Sequence, residues 1–293
     1  MTNKRRPTSR TSSDALAPEV DAFLKRAKAW IASRSVVVFA CPSIDEPNPR
    51  MEQVGSGLLF EEHGDTFFVT AAHVGDWWTI HRCNLAVKSW TGSGKPVPIV
   101  GTKMISTPTP PQCRADDRVD VAVLYVPPAA AAELRATCRP LSLDEMDLSY
   151  APDANDRVAL CGFPVAEPWS VQRDDGHIAY EVAFFPTALR RDVPPKLART
   201  FGYGALYPQY SKKRMVNTNA ARGVPEPEGV SGGGVWLIHR GWPLRSSWTE
   251  EHIRLLGIVH TKRLEHECLV ATRVTEAVQY GRDLLQHVRR LGS

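Results

Sequence analysis

The chain has 293 residues, of which 43% are hydrophobic and 23% are charged, and its formal net charge is +4. These values are typical of a globular protein and exclude a disordered chain, a coiled coil and a collagen-like fibre. No run of about 18 apolar residues occurs, so the sequence predicts no transmembrane helix and no membrane partner.

Residues 1–17 form a basic segment that is predicted to be disordered. The first ten residues include four basic side chains and no acidic one, so the rest of the chain is close to neutral. A nearly neutral body lacks the clustered Lys and Arg of a nucleic-acid-binding surface, and we expect no nucleic-acid partner. The segment also lacks the apolar stretch of a secretory signal, which favours a cytoplasmic location.

Periodicity predicts a helix at the start of the folded region and short strands after it. Apolar residues recur at spacings of three and four over residues 18–33, which predicts a helix there. The N-terminal helical segment is assigned to residues 18–34. Short β-branched and aromatic runs then alternate with turn residues, which indicates an all-β fold. The predicted strands are residues 36–40, 57–60, 66–70, 97–100, 119–126, 157–161, 178–185, 235–239, 255–260 and 269–273.

The strands are predicted to form two β-barrels. An acidic, turn-rich stretch at 141–156 shows no clear periodicity and is interpreted as the connection between them. The first barrel is placed at 35–140 and the second at 157–273. Helical spacing returns over 274–290, which predicts a C-terminal helix within 274–293.

The six cysteines form no C-x-x-C pair, and their spacings fit no zinc framework. We therefore expect no metal, and nothing in the sequence indicates a cofactor. Without a secretory signal the cysteines are predicted to be reduced thiols, although an even number also allows disulfides.

Three motifs place chemically capable side chains at strand ends. His73 follows Thr-Ala-Ala at the end of one predicted strand, Asp120 begins another, and Ser231 lies in Gly-Val-Ser-Gly-Gly-Gly before a third. A serine hydroxyl becomes a nucleophile when a histidine accepts its proton, and a carboxylate on the other ring nitrogen fixes the tautomer. Glycines let backbone N–H groups at the serine turn inward to stabilise an oxyanion.

In this order the motifs resemble those of trypsin-like (chymotrypsin-fold) serine peptidases, over roughly residues 35–275. The resemblance implies two six-stranded antiparallel barrels with N- and C-terminal helices outside them and the active site in the cleft. It makes Ser231 the nucleophile, His73 the general base and acid, and Asp120 the orienting acid. The N–H groups of Gly229 and Ser231 would form the oxyanion hole.

One departure concerns activation. Members that are made as zymogens have an aspartate just before the serine, where this chain has Val230. The chain is therefore most similar to the bacterial type that needs no activation cleavage.

The resemblance also implies a set of substrate-binding residues. It places His260, Thr261 and Lys262 on the strand beside which a substrate peptide lies, and Glu228 and Leu269 at the specificity pocket. Glu226 or Glu228 would favour a basic residue at the cleaved position, whereas Leu269 would favour a small or apolar one. The sequence leaves both open.

The predicted function is a serine endopeptidase acting on polypeptides, and regulation by a partner protein is a further hypothesis. One alternative is a catalytically silent module that binds extended peptides by strand addition. A poorer alternative is a serine esterase, since the segment 229–233 also fits the G-x-S-x-G elbow of α/β-hydrolases. In α/β-hydrolases a helix follows this elbow, and the triad occurs along the chain in the order Ser, acid, His. Here a strand-like run follows Ser231, and the order along the chain is His, Asp, Ser.

Overall fold

The computed structural model describes residues 18–43, 50–90, 95–99, 102–109, 118–153, 156–165, 170–172, 178–202, 204–211, 226–240 and 249–292. The predicted disordered segment 1–17 lies outside this part of the chain. None of the described helices is long and apolar enough to cross a lipid bilayer.

The described residues form five α-helices and fourteen strands. The helices are α1 Pro18–Ala32, α2 Ala72–Thr79, α3 Pro128–Arg135, α4 Pro195–Phe201 and α5 Val274–Gly292. The strands of the first half are β1 Ser35–Cys41, β2 Glu52–Glu62, β3 Asp65–Thr70, β4 Asn84–Ser89, β5 Val97–Ile99, β6 Met104–Ser106 and β7 Ala122–Val126. The second half has β8 Arg157–Gly162, β9 Ser170–Gln172, β10 Ile178–Tyr180, β11 Ala183–Thr187, β12 Gly234–His239, β13 Arg254–Arg263 and β14 Cys268–Arg273.

The strands form two larger antiparallel sheets, which confirms the predicted all-β architecture. The first sheet has the order β5-β4-β1-β2-β3-β7-β6, and the second has the order β11-β8-β12-β13-β14. Strands β9 and β10 pair only with each other. The helices at the two ends of the described chain are also present.

The strand numbers are seven and five where the resemblance implies six and six. The first sheet gains β6, a short edge strand that pairs with β7. In the second sheet, the segment along the free edge of β14 pairs only through isolated bridges, Leu206 with Ala271 and Gln209 with Cys268. Pro208 interrupts this segment, and proline has no N–H to donate to a ladder.

Each sheet encloses its own apolar core, and a third core fills the space between the sheets. Strand β1 shows how one strand serves two cores, because all seven of its residues are buried. Val36 and Val38 point into the core of the first sheet, whereas Val37 and Phe39 point into the shared core. This double burial explains why β1 is a continuous apolar run rather than an alternating one.

The two terminal helices cover the seam between the sheets. Helix α1 buries Ala27 and Ile31 in the shared core, and its Trp30 ring meets Trp236 of β12 edge-on at 5.9 Å. Helix α5 packs on β6 and β7 of the first sheet and on β13 of the second. The helices therefore hold the two sheets together.

The segment between the two sheets is bound to both of them. Leu141 pairs with Phe60 of β2, and Met146 pairs with Leu255 of β13. Glu145 forms a 2.6 Å ion pair with the buried Arg34, which follows α1.

Several local predictions were wrong. The single strand predicted at 178–185 is broken at Glu181, so that β10 pairs with β9 while β11 pairs with β8. The apolar residues continue on both sides of Glu181, and the sequence therefore gives no sign that the chain changes sheet. Strands β4, β6 and β9 and helices α2 and α4 were not predicted.

Five cysteines are described, namely Cys41, Cys83, Cys138, Cys161 and Cys268, and all five are free and buried. Cys113 lies outside the described residues. Burial raises the pKa of the Cys138 and Cys161 thiols to about 12, so both stay protonated at neutral pH.

Candidate active site

Strand register brings His73 and Asp120 together. Thr70 at the end of β3 pairs with Ala122 at the start of β7, so the residues just beyond these ends are neighbours. His73 Nδ1 lies 2.7 Å from Asp120 Oδ2, and the His73 backbone N–H donates to Asp120 Oδ1 at 3.2 Å. The carboxylate therefore holds both the ring and the backbone of His73.

Asp120 is fully buried at the contact between the two sheets. Its backbone N–H donates to the hydroxyl of Thr272, on β14 of the second sheet, at 3.1 Å. Burial alone would raise the pKa of Asp120, but the hydrogen bond and charge of His73 outweigh it and leave the pKa below its ordinary value. The carboxylate is therefore ionised at neutral pH.

Ser231 lies in a turn that leads into β12 and needs glycine at two positions. Gly229 and Gly232 have φ of +84° and +86°, the left-handed region that favours glycine. A Cβ on Gly232 would overlap the carbonyl oxygen of Ser56, and one on Gly229 would lie 2.6 Å from that of Phe163. The glycines thus allow both the turn and its close contact with other strands.

The backbone of this turn leaves two donors unused. Within the described residues, the N–H groups of Gly229 and Ser231 donate to no hydrogen-bond acceptor, and both residues line the same cavity. The N–H groups between and after them are occupied, since Val230 donates to Pro227 O and Gly232 to Val259 O. The free pair is at the positions that the resemblance implies for an oxyanion hole.

The Ser231 hydroxyl donates to the backbone carbonyl oxygen of His260 at 3.3 Å. Across the described residues, no hydrogen bond joins this hydroxyl to the His73 ring. The hydroxyl must therefore turn from the His260 carbonyl to His73 before His73 can accept its proton.

Nine of the predicted site residues border one cavity of about 500 Å³, whereas Glu226 is not among its lining residues. The predicted members are His73, Asp120, Glu228, Gly229, Ser231, His260, Thr261, Lys262 and Leu269. The other lining residues are Val54, Pro227, Val259 and Arg263. The cavity thus receives residues from both sheets.

His260 is a second histidine beside the Asp120 carboxylate. Its Nδ1 lies 2.8 Å from the Thr261 hydroxyl oxygen and 3.8 Å from Asp120 Oδ2. Its Nε2 is buried and has no hydrogen-bond partner among the described residues. Burial lowers the pKa of His260 to about 4, so this ring is neutral at neutral pH.

Glu228 and Lys262 form an ion pair at the side of the cavity, and both side chains are about half exposed. This contact lowers the pKa of Glu228. The Glu228 charge is therefore already matched within the chain, whereas Leu269 contributes a buried apolar side chain to the cavity.

The sequence analysis assigned no role to Ser56 and Thr272, two residues whose hydrogen bonds hold parts of this site in place. Ser56 hydrogen-bonds to the turn that carries Ser231, and Thr272 accepts from Asp120. The one sequence signal for Ser56 was a polar residue between two glycines in an apolar strand. In the described parts of the chain, no group of three or more His, Cys, Asp or Glu residues could hold a metal ion.

Neither a family model nor a curated protein matches this chain. Solved structures do match. GrC is 16% identical with a TM-score of 0.51, covering 88% of this chain and 96% of its own. The HtrA-type protease AlgW, solved with a decapeptide, is 12% identical with a TM-score of 0.50, covering 90% of this chain and 68% of its own. Both have the trypsin/chymotrypsin fold of serine proteases, so the fold implied by the sequence motifs is confirmed.

Proposed function

We propose that the protein is a serine endopeptidase in which Ser231 attacks the substrate carbonyl, His73 transfers protons and Asp120 orients His73. One observation carries the proposal: the His73–Asp120 pair, Ser231 and two unused N–H donors all border one cavity. The similarity to solved proteases agrees with it at the level of the fold.

In the first step the Ser231 hydroxyl leaves the His260 carbonyl and donates its proton to His73. The Nδ1 atom of His73 is held by Asp120, so Nε2 is the atom available to accept. The Ser231 oxygen then forms a bond to the substrate carbonyl carbon, and the carbonyl electron pair moves onto oxygen.

The resulting oxyanion would be stabilised by the N–H groups of Gly229 and Ser231. Hydrogen bonds that already point at the developing charge need no rearrangement during the reaction. Buried Asp120 at the same time stabilises the imidazolium of His73, which balances the negative charge of the intermediate.

Collapse of the intermediate breaks the peptide bond as His73 returns its proton to the departing amine. Water then attacks the Ser231 acyl-enzyme, with His73 accepting a proton from the water. The bond between the acyl carbon and the Ser231 oxygen breaks as His73 returns that proton to the serine oxygen, and the carboxylic acid is released. The chain's own residues are sufficient for every proton transfer in this cycle.

We propose that the site forms without activation cleavage. The side chain of Val230, which replaces the aspartate of zymogen-type enzymes, is buried in the apolar core of the second sheet. The turn is thus anchored by packing rather than by an ion pair to a new N-terminus.

For the residue before the cleaved bond, we propose a small or apolar side chain. Lys262 already matches the charge of Glu228, while Pro227, Val259 and Leu269 give the cavity apolar walls. Sequencing the products of a mixed peptide library would test this, and a strong preference for Lys or Arg at that position would overturn it.

Control by a partner remains part of the proposal and has a defined point of action. A protein or peptide that bound along β13 near Thr261 would lie beside the His260 carbonyl that holds the Ser231 hydroxyl.

A reducing, cytoplasmic setting is proposed on the basis of the five free, buried thiols. Finding those thiols paired in protein purified without reductant would contradict this location.

The function is tested with a fluorophosphonate probe, which reacts with an activated serine. We expect the purified wild-type protein to be labelled and Ser231→Ala to remain unlabelled, with the adduct mapped by mass spectrometry to Ser231. Equal labelling of the two proteins, or an adduct elsewhere, would refute the assignment of the nucleophile.

A catalytically silent peptide-binding module is the second candidate, because the Ser231 hydroxyl bonds to His260 rather than to His73. The two candidates differ in the labelling experiment. The silent module would bind extended peptides while neither reacting with the probe nor cleaving native or denatured protein.

A further inference from the structure

The residue that joins the two halves of the site most directly is Ser56, on β2 of the first sheet. Its side chain is fully buried, yet its hydrogen bonds run to the second sheet. The hydroxyl donates to Gly229 O at 2.7 Å and accepts from the backbone N–H of Phe163 at 2.8 Å.

The backbone of Ser56 adds two further bonds. Its N–H donates to Ser231 O at 2.8 Å, and its carbonyl oxygen accepts from the Thr70 hydroxyl at 2.8 Å. One buried residue of the first sheet therefore holds two carbonyl groups of the turn that carries Ser231.

Each peptide group of that turn has its carbonyl fixed by a donor. Glu228 O accepts from Val165 N, and Val230 O accepts from Gly233 N. The remaining two, Gly229 O and Ser231 O, accept from Ser56. In a trans peptide the C=O and N–H point in opposite directions, so a fixed carbonyl also fixes the N–H of the same group.

The peptide group that the Ser56 hydroxyl holds contains the Gly229 carbonyl and the Val230 N–H. It follows Gly229, which has no Cβ to restrict its rotation and already has a left-handed φ of +84°. It lies between the two groups that carry the free N–H donors of Gly229 and Ser231, so a rotation here would disturb both of these neighbours.

We propose that the Ser56 hydroxyl acts as a positioning group for the oxyanion hole, because it fixes the peptide group that lies between the two groups carrying the N–H donors and so keeps both donors in place at the cavity. This inference rests on the proposed peptidase function. Ser56 lines no part of the cavity and touches no reacting atom. Its effect on the reaction is transmitted through the turn.

The test uses Ser56→Ala, which removes the hydroxyl but retains both backbone hydrogen bonds. The matched control is Ser89→Ala, which also removes a buried serine hydroxyl in the first sheet, bonded to Thr137 O at 2.5 Å away from the cavity. Three quantities are measured for each protein: kcat, KM and the inhibition constant of a peptidyl trifluoromethyl ketone, whose adduct places an oxyanion in the hole.

For Ser56→Ala we expect kcat to fall roughly 10- to 100-fold, less than the hundred- to thousandfold that follows loss of a direct donor. We expect KM to stay within about twofold and the ketone to bind more weakly by the same factor as kcat falls, because only the transition state uses the donors. Ser89→Ala should keep the wild-type values of all three.

A fall in kcat with unchanged ketone affinity would overturn the inference. It would also be overturned if the wild-type protein is active and Ser56→Ala has the same kcat, KM and ketone affinity. If Ser56→Ala fails to fold, Ser56→Cys keeps the side-chain shape while weakening both hydrogen bonds, and a parallel loss of kcat and ketone affinity is expected. Absence of any turnover or labelling by the wild type would instead refute the proposed function, and the inference with it.

Discussion

The two halves of the candidate site are built by different physical means. On the first sheet, His73 and Asp120 lie just beyond the paired ends of β3 and β7, and two hydrogen bonds between these two residues fix them. On the second sheet, Ser231 lies in an irregular turn that depends on two left-handed glycines and on bonds from β2. The first half is therefore set mainly by strand pairing within one sheet, whereas the second depends on an irregular turn and its contacts with the other sheet.

This difference predicts where substitutions change chemistry and where they change the fold. Changes on the first-sheet side should reduce turnover while leaving the protein folded. Changes in the turn should affect both properties, because the turn is also part of the contact between the sheets.

The largest expected effect is that of His73→Ala on turnover. Because His73 is the proposed acceptor of the Ser231 proton, kcat should fall by roughly 10⁴- to 10⁶-fold. The substitution also removes a hydrogen bond from the buried Asp120 carboxylate, so the free energy of unfolding should fall by about 1–3 kcal/mol while the protein stays folded. Hydrolysis of a peptide ester and urea unfolding would measure the two quantities, and near-normal turnover would contradict the assigned base.

The turn is tested by Gly232→Ala, with Gly64→Ala as its control. Both glycines have a left-handed φ, +86° and +84°, but a Cβ on Gly64 meets nothing within 4 Å whereas one on Gly232 overlaps Ser56 O. The left-handed φ should cost about 1–2 kcal/mol in either variant. Gly232→Ala should lose clearly more stability and nearly all turnover. Equal losses in the two variants would show that the contact with Ser56 is not tight.

A pH-dependent loss of stability is expected from His260. The pKa of this histidine is about 4 in the folded protein and 6.5 in an unperturbed side chain. Between these values the unfolded chain binds a proton that the folded chain does not, so stability is complete above pH 6.5 and falls toward pH 4. The loss should reach roughly 2–3 kcal/mol.

Urea unfolding between pH 4 and 7 would measure this dependence. His260→Gln should flatten it, whereas His287→Gln, which changes an exposed histidine on α5, should keep the wild-type slope. Asp120 adds a loss in the same direction at still lower pH, because its pKa is depressed in the folded state. If stability falls with pH as steeply in His260→Gln as in the wild type, the lowered pKa of His260 would be contradicted.

The smallest effect is expected for Thr272→Val, which removes the acceptor of the buried Asp120 N–H. An unpaired buried donor costs about 1–3 kcal/mol. Turnover should fall much less than in His73→Ala, because the carboxylate keeps both bonds to His73. Thr200→Val, which removes a hydroxyl bonded only within its own helix turn, is the control for both measurements.

The same contrast explains how much the sequence could predict. His73, Asp120 and Ser231 stand in short motifs whose residue types are dictated by local chemistry and strand ends, and the structure brings all three to one cavity. Gly229 and its neighbours were likewise recognisable, because a left-handed turn requires glycine. These residues could be chosen without knowing which distant segment each one contacts.

Ser56 and Thr272 could not be assigned in this way. Ser56 bonds to Gly229, which is 173 positions away, and Thr272 to Asp120, which is 152 positions away. No periodicity or motif in one sequence specifies such pairs. The break at Glu181 was missed for a related reason, since strand exchange between sheets depends on pairing partners rather than on local pattern.

Helix α5 also has a consequence for the order in which the protein matures. It follows His73, Asp120 and Ser231 along the chain, and its Val274, Ala277 and Val278 are part of the core between the sheets. A nascent polypeptide that already contains Ser231 but not yet α5 cannot close that seam. If the protein acts as proposed, a chain still without α5 would carry His73 and Ser231 on two sheets that are not yet held together at this seam.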